Sequence, residues 1–379
     1  MTDTQKFFVK CVKAGIKDEK ITEVPHDIDY NKLFELCATH AVCVIVFYAL
    51  SNVNKLLPDT FCARLQDSVE KHVFKDMQSA ADDEIVINAF EKEGVKFMPI
   101  KGYHLKSLYP KAAMRYSSDC DILIDKNEIK KVRRVVAEIG LKTKRHDEHH
   151  DVVYFDTTKS IFELHKKLFV GKLSEYFGIG FEKAMLKKGY KYYYELSPED
   201  FYMTCVAHSA YHFVEGGGVG IRHLTDIYVL KKHYALDEEY LAREFEKCGL
   251  RKFQLQFEKL ARCFFEDETP DDFTLKLADY VLSSTVLANK SKKGAAEISA
   301  NDSKGKAFIK MIFPPLRHMK FTYPVLNNAI WLLPFFYVVR WFRVIFKTPG
   351  NLSRIKNVGS VSRCEIEEVK EIRNGLGIN

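Results

Sequence analysis

The first 94 residues space their apolar side chains as helices do. Residues 31–50 (NKLFELCATHAVCVIVFYAL) carry apolar side chains on most faces, as expected of a helix buried within a helical layer. A longer amphipathic run starts at Pro58 and ends at Gly94, a natural helix terminator. The pattern predicts an N-terminal helical region over residues 1–94 that serves as a scaffold.

At Val95 short apolar runs replace the helical spacing, which indicates strands. The run VKFMPI ends at a Lys101-Gly102 turn, and residues 119–124 (DCDILI) predict a second strand. A helix is predicted over residues 125–140, because Asp125 can cap its start and Gly140 can end it. Residues 95–196 are therefore expected to form a compact α+β unit, with further strands at residues 141–145, 152–156 and 160–168.

Helical spacing returns after residue 196. Ser197 can cap a helix whose first position is Pro198, and two more helices are predicted over residues 221–234 and 237–248. The polar segment 290–306 is the best candidate for a flexible loop. Four regions result: an N-terminal helical region (1–94), the α+β unit (95–196), a C-terminal helical domain (197–347) and a tail (348–379).

The composition excludes several classes of protein. Of 379 residues, 46% are hydrophobic and 29% charged, which excludes collagen-like, low-complexity and disordered chains. Nine widely spaced cysteines without a C-x-x-C motif favour reduced thiols, and no secretory signal is evident, so we expect a cytoplasmic protein. Residues 329–339 are apolar but too short to span a bilayer, so they either lie on a membrane surface or pack against the N-terminal helices.

Positive charge is concentrated near the C-terminus. The net charge is +7, and residues 290–347 contain eleven Lys or Arg but only Glu297 and Asp302 as acids. This region is where an anionic partner, such as nucleic acid or a membrane surface, is expected. A solvated lysine-rich loop is the alternative interpretation.

Two carboxylates in the second predicted strand suggest a metal site. Asp119 and Asp121 are two positions apart, so both point to one face of a strand, about 6.5 Å apart. Hard oxygen ligands at this spacing suit one or two Mg²⁺ ions, which could neutralise the phosphates of a nucleoside triphosphate. Acidic pairs at strand ends are also commonly just solvated, so the surrounding residues decide between these interpretations.

The surrounding residues favour chemistry on phosphate. Lys101 and Gly102 supply a compact positive charge and close backbone approach, and Arg115 precedes the acidic strand by four residues. Glu163 lies in the apolar strand SIFELHKKL, an awkward place for an acid unless it faces a cation, and His165 shares its face. We expect these polar side chains to meet at one edge of the sheet.

The order of these motifs resembles the nucleotidyltransferase superfamily with the DNA polymerase β-like fold. More narrowly, the chain is similar to the bacterial family known as NTP_transf_5, over roughly residues 20–347. The resemblance implies a small mixed β-sheet core flanked by helical regions, and an enzyme that uses Mg²⁺ or Mn²⁺. It would transfer a nucleoside monophosphate from an NTP such as ATP to a hydroxyl of a small molecule, protein or RNA, with pyrophosphate leaving. It assigns metal binding and catalysis to Asp119, Asp121 and Glu163, and nucleotide binding to Lys101, Gly102, Arg115 and His165.

Two departures from the family pattern leave a second function open. Lys101-Gly102 stands where the superfamily has Gly-Ser, and Glu163 stands where the narrower family has Asp. The alternative is therefore a catalytically inactive binding or regulatory protein on the same fold.

Several residues of the C-terminal helical domain are candidates for contacts on the substrate side. His208 and His212 are four apart on a predicted helix and could ligate a transition metal, although core or capping histidines fit the pattern better. Arg222 and Asp226 are one turn apart and predict an ion pair, with a grip on the substrate as the alternative. The substrate-side candidates are His208, Arg222 and Asp226.

Overall fold

The computed structural model describes residues 1–146, 149–284, 304–347 and 361–378, together with residues 292, 294, 295 and 298. These residues form a mixed α+β structure with a five-stranded sheet, a two-stranded sheet and flanking helices, which confirms the predicted fold class. They fall into two compact units. The first comprises Met1–His208 and Gly220–Leu282, and the second comprises Ser209–Val219 and Ser283–Asn379. The predicted division into four regions stays a prediction.

Helices make up most of the chain. Those before the sheet are α1 (Asp3–Ile16), α2 (Tyr30–Thr39), α3 (Cys43–Leu50) and α4 (Asp59–Lys92). Those within the α+β part are α5 (Gly102–Leu105), α6 (Ile129–Glu138) and α7 (Leu173–Phe177). Those after it are α8 (Pro198–Gly216), α9 (Ile221–His233), α10 (Glu238–Lys247), α11 (Arg251–Phe265), α12 (Asp272–Leu282), α13 (Lys304–Ile312), α14 (Leu316–Thr322), α15 (Leu333–Lys347) and α16 (Arg363–Leu376).

The prediction of one continuous helix over residues 31–50 is wrong, because the chain breaks between α2 and α3. Ala41 adopts a left-handed conformation with φ of +53°. The break directs the fully buried His40 towards two later helices: its Nδ1 accepts from the Ile221 amide at 3.2 Å, and its Nε2 lies 3.3 Å from the Leu282 carbonyl oxygen. Tertiary hydrogen bonds to α9 and α12 therefore outweigh local helix continuity.

Helix α4 follows its prediction closely, and Gly94 after it adopts φ of +68°. Its apolar contacts lie at the two ends, where Phe61 and Leu65, and later Phe90, are buried. Met77, in the middle, is exposed, so the predicted apolar stripe is interrupted.

The main sheet has the order β1-β2-β5-β4-β3. Its strands are β1 (Phe97–Pro99), β2 (Asp119–Ile124), β3 (Leu141–His146), β4 (His150–Phe155) and β5 (Ile161–His165), and a separate pair is formed by β6 (Met185–Leu186) and β7 (Tyr194–Glu195). Strands β2 and β5 are parallel, and the other neighbours are antiparallel. One face carries Cys120, Ile122 and Phe162 into a core with α4 and α6. Because side chains alternate along a strand, the opposite face carries Asp119, Asp121, Glu163 and His165.

In the second unit, helix α15 packs against the segment around Phe313. The Tyr337 hydroxyl donates to the Pro314 carbonyl at 2.8 Å, and the Trp341 indole donates to the Ile312 carbonyl at 2.9 Å. Most of the predicted loop over residues 290–306 lies outside the described residues. Within the described part of the chain, every helix is too short or too polar to cross a bilayer.

Candidate active site

The register of the parallel strands β2 and β5 builds the site. Asp121 lies directly opposite Glu163, and Leu123 lies opposite His165. On the other side of β5, antiparallel pairing places His150 of β4 opposite His165, and the two imidazole rings stack with centroids 5.3 Å apart. Three neighbouring strands thus present ionisable side chains to one face of the sheet.

Asp121, Glu163 and His165 converge on one point. One ligand atom from each lies within 4.8 Å of the others, and no other such group of three occurs among the residues that the structure describes. His165 Nε2 is 2.7 Å from Asp121 Oδ1 and 3.5 Å from Glu163 Oε2. Two carboxylates and an imidazole form a donor set that fits a divalent cation.

The charges of this group depend on one another. Burial alone would raise the pKa of Asp121, but Lys101 and His165 outweigh burial and hold that pKa well below its usual range. Burial alone would lower the pKa of His165, but hydrogen bonds to Asp121 and Glu163 outweigh burial and raise it. The hydrogen bond from His165 lowers the pKa of Glu163. The site therefore favours ionised carboxylates beside a cationic neighbour.

Lys101 reaches the site from a strained turn at the end of β1. Its backbone φ is +53°, in a region that non-glycine residues rarely adopt, and its Nζ lies 2.8 Å from Asp121 Oδ1. The next residue, Gly102, packs so closely that a Cβ there would lie 3.1 Å from Ser117 Oγ. The turn thus holds an ammonium group against Asp121 and leaves little space above the loop that leads into β2.

Asp119 lies on the same face but outside the group of three ligand atoms. Its Oδ1 is 3.5 Å from the hydroxyls of Ser117 and Ser118, and no described cation lies within ion-pair distance. Burial raises the pKa of Asp119, and the neighbouring Asp121 and Glu163 raise it further.

Arg115 is not directed at the three ligand atoms but forms a buried ion pair. Its Nε donates to Asp226 Oδ1 at 2.5 Å, and the Tyr109 hydroxyl donates to the same oxygen at 2.7 Å. The predicted ion pair between Arg222 and Asp226 is therefore wrong, because Arg115 takes the Asp226 carboxylate. Its interaction with α9 fixes the loop before β2.

Arg222 instead points towards that loop. Its Nη1 donates to the Tyr116 carbonyl at 3.1 Å, and the Arg115 Nη1 donates to the same oxygen at 3.0 Å. The Arg222 Nε is buried and has no hydrogen-bond partner in the described part of the chain. Burial and the nearby Arg115 lower the pKa of Arg222 to about 10. A guanidinium with an unused donor beside a group of metal-ligating side chains is suited to bind an anion.

The histidines of α8 do not form a metal group in the described residues. His208 stacks on His223 with ring centroids 5.9 Å apart, and His212 lies edge-on to Tyr211. A cavity of about 570 Å³ lies among α1, α11 and α12, and none of the predicted site residues lines it.

A comparison with protein-family models agrees with this geometry. A model described as an uncharacterised nucleotidyltransferase, NTP_transf_5, matches residues 26–266. The chain belongs to this family. Neither a curated protein nor a solved structure matches it. The match to the nucleotidyltransferase family contains every candidate site residue, and it ends before the predicted limit at residue 347.

Two parts of this nucleotidyltransferase-family site have no counterpart in the sequence predictions. His150 precedes a strand predicted to begin at residue 152, and only the pairing of β4 with β5 places it beside His165. Tyr109 directly follows the short helical turn Lys106–Leu108, and its bond to Asp226 joins residues 117 positions apart. Neither residue carries a local motif that could have indicated its place.

Proposed function

We propose that this chain is a metal-dependent nucleotidyltransferase that moves a nucleoside monophosphate from an NTP to a hydroxyl acceptor. The observation that carries the proposal is the convergence of Asp121, Glu163 and His165 beside Lys101 on one face of the sheet. Membership of the nucleotidyltransferase family supports the reaction class. The acceptor hydroxyl would form a bond to the α-phosphorus, the bond from that phosphorus to the bridging oxygen would break, and pyrophosphate would leave.

In this proposal the carboxylates of Asp121 and Glu163 hold the divalent cation, with Mg²⁺ or Mn²⁺ as the expected ions. The cation would supply neutralisation of phosphate charge. Lys101 and Arg222 provide fixed positive charge for the triphosphate oxygens, and Gly102 lets the backbone approach them. Arg115 and Asp226 act through the loop before β2, as positioning residues.

Asp119 is the best placed group to take the proton of the acceptor hydroxyl. It shares the face of the ligand atoms, yet among the described residues its carboxylate is engaged only by two weak serine contacts of 3.5 Å. Asp121, by contrast, is held by both Lys101 and His165. A carboxylate without an ion-pair partner is the stronger hydrogen-bond acceptor for an incoming hydroxyl.

The positive charge near the C-terminus and the state of the cysteines extend the same proposal to a partner and a compartment. Residues 290–347 carry eleven Lys or Arg, and the described Lys306, Lys310 and Arg343 are exposed, which supports an anionic acceptor or partner. None of the nine cysteines, all of which are described, forms a disulfide, and this supports the cytoplasm as the compartment.

Calorimetry with each of the four nucleoside triphosphates plus Mg²⁺ or Mn²⁺ tests the donor side of the proposal. We expect metal-dependent binding that is lost in Asp121→Asn and in Glu163→Gln. The matched control is Asp156→Asn, which removes a carboxylate directly after β4 whose ion pairs in the described part of the chain are with Lys142 and Lys159. Thermal unfolding of each variant separates loss of binding from loss of fold.

A radioactively labelled NTP shows which group of the nucleotide is transferred. With an NTP labelled at the α-phosphorus, nucleotidyl transfer leaves the label on the acceptor, whereas transfer of the terminal phosphoryl group would not. Small-molecule, protein and RNA fractions of a cell extract serve as acceptors. Binding of NTP without transfer to any fraction would instead support the inactive binding or regulatory protein.

A further inference from the structure

We infer that His165 is a direct metal ligand, and that the site therefore selects a transition-metal ion over Mg²⁺. The inference rests on the metal site of the proposed function and specifies which ion that site prefers. It is carried by the position of one nitrogen atom, His165 Nε2, among the carboxylate oxygens.

The donor atoms are spaced as ligands of one ion are. His165 Nε2 lies 2.7 Å from Asp121 Oδ1 and 3.5 Å from Glu163 Oε2, and all three ligand atoms lie within 4.8 Å of one another. Ligand atoms bound about 2.1 Å from one ion lie about 3 Å apart when they are adjacent. His165 Nε2 thus lies close to both carboxylates, and on metal binding it releases to solvent the proton through which it bonds Asp121 and Glu163.

The fold fixes the direction of this imidazole. His165 is mostly buried, its ring stacks on His150, and its backbone is held between β2 and β4. The neighbouring His150 is not an equivalent donor, because its Nε2 is engaged by Arg145. Only one of the two stacked imidazoles thus presents a ring nitrogen to both carboxylates.

The chemistry of the donor set decides the ion. Mg²⁺ takes oxygen ligands and keeps several waters, whereas imidazole nitrogen suits Zn²⁺, Fe²⁺ and other later transition metals. Mn²⁺ accepts the oxygen ligands of Mg²⁺ and serves as the spectroscopic probe of the site. Mn²⁺ also binds more tightly than Mg²⁺ at many all-oxygen sites, so a simple preference proves nothing about the nitrogen. The diagnostic quantities are the change in the Mn²⁺ to Mg²⁺ affinity ratio when the nitrogen is removed, and a spectroscopic signature of nitrogen on the ion.

The experiment uses the full chain and Mn²⁺ alone, without nucleotide. Loss of the free Mn²⁺ signal in electron paramagnetic resonance gives the affinity, and electron spin echo modulation from ¹⁴N reports a directly bound imidazole. Competition with Mg²⁺ gives the affinity ratio. The variants are His165→Gln, which keeps an amide that can donate to Asp121, and His165→Asp, which replaces nitrogen by oxygen. The control is His150→Gln, and thermal unfolding is recorded for each.

We expect nitrogen modulation in the wild type and in His150→Gln, and its loss in both His165 variants. We also expect the Mn²⁺ to Mg²⁺ affinity ratio to fall about tenfold or more in His165→Asp. Mn²⁺ binding without nitrogen modulation in the wild type would overturn the inference while leaving the proposed metal site intact. Modulation that persists in His165→Gln would also overturn it. No Mn²⁺ binding, or binding unaffected by Asp121→Asn, would instead overturn the metal site of the proposed function and this inference with it.

Discussion

The buried ion pair between Arg115 and Asp226 should be among the costliest interactions to break in the first unit. Both side chains are less than a tenth exposed, and the Asp226 oxygen that accepts from Arg115 also accepts from Tyr109. Asp226→Asn keeps the shape of the acceptor but leaves a buried guanidinium without its counter-charge. Loss of one partner of such a pair costs about 3–5 kcal/mol of unfolding free energy.

A double-mutant cycle separates the interaction energy of Arg115 with Asp226 from the loss of stability that each single substitution causes. In the double variant Arg115→Met, Asp226→Asn neither charge remains, so its loss of stability should be smaller than the sum of the two single losses. We expect a coupling energy of about 2–3 kcal/mol. The matched control is the cycle on Lys71 and Asp67, an exposed pair at 2.6 Å on α4, where about 0.3–0.5 kcal/mol is expected.

Urea unfolding followed by far-UV circular dichroism is the appropriate assay. The two tryptophans of the chain, Trp331 and Trp341, both belong to the second unit, so tryptophan fluorescence would not report on the unit that holds the ion pair. A coupling energy for Arg115 and Asp226 no larger than that of the exposed control pair would refute the reasoning.

Three further predictions concern other parts of the first unit. Burial raises the pKa of Asp83 to about 6. Between pH 4 and pH 7, the free energy of unfolding of the wild type should therefore fall by about 2–3 kcal/mol relative to that of Asp83→Asn. Gly15→Ala should destabilise the chain by about 1–3 kcal/mol in urea unfolding, because its Cβ would lie 2.5 Å from the Ile45 carbonyl oxygen. Arg222→Gln should weaken triphosphate binding about 10- to 100-fold in calorimetry, because the charged donor is lost.

The sign of the pH prediction follows from the direction of the shift. The folded state disfavours the ionised Asp83, so its contribution to stability is complete below the unfolded pKa near 4 and is lost as the pH rises through about 6. A constant difference in unfolding free energy between the wild type and Asp83→Asn across this pH range would contradict the prediction.

For Gly15→Ala, an unchanged midpoint of urea unfolding would show that α1 can move away from α3. For Arg222→Gln, equal losses of binding and of thermal stability would indicate a structural role.

The strands that carry the site were predictable because their signals are local. The run DCDILI alternates polar and apolar residues over its first four positions and becomes β2 with the predicted bounds, and Cys120 faces the core as expected. The same alternation places Asp119 and Asp121 together on the other face. Glu163 and His165 share a face by the same rule, so most of the candidate site follows from period-two spacing.

Features set by tertiary contacts were not predictable in this way. Ala41 is not a residue type that favours positive φ, so nothing local indicates the break before α3, which serves hydrogen bonds of His40 to distant backbone groups. The partner of Asp226 is 111 residues away in sequence, whereas the predicted partner is one helical turn away. Helical spacing indicates which residues could pair on one helix, but it contains no information about a competitor from another element.

Arg115 and Arg222 therefore differ from the roles that their positions in the sequence suggest, which are triphosphate binding for Arg115 and an ion pair with Asp226 for Arg222. Arg115, which precedes the acidic strand, is the natural candidate for binding triphosphate, yet its charge is already compensated by Asp226 and its position is fixed by α9. Arg222, for which helical spacing predicts Asp226 as the partner, does not pair with it and retains a buried Nε without a hydrogen bond among the described residues. A buried cation that lacks its counter-charge is costly unless an anion arrives to compensate it. In the proposed function, Arg222 is therefore the one of these two arginines with donor capacity for a phosphate.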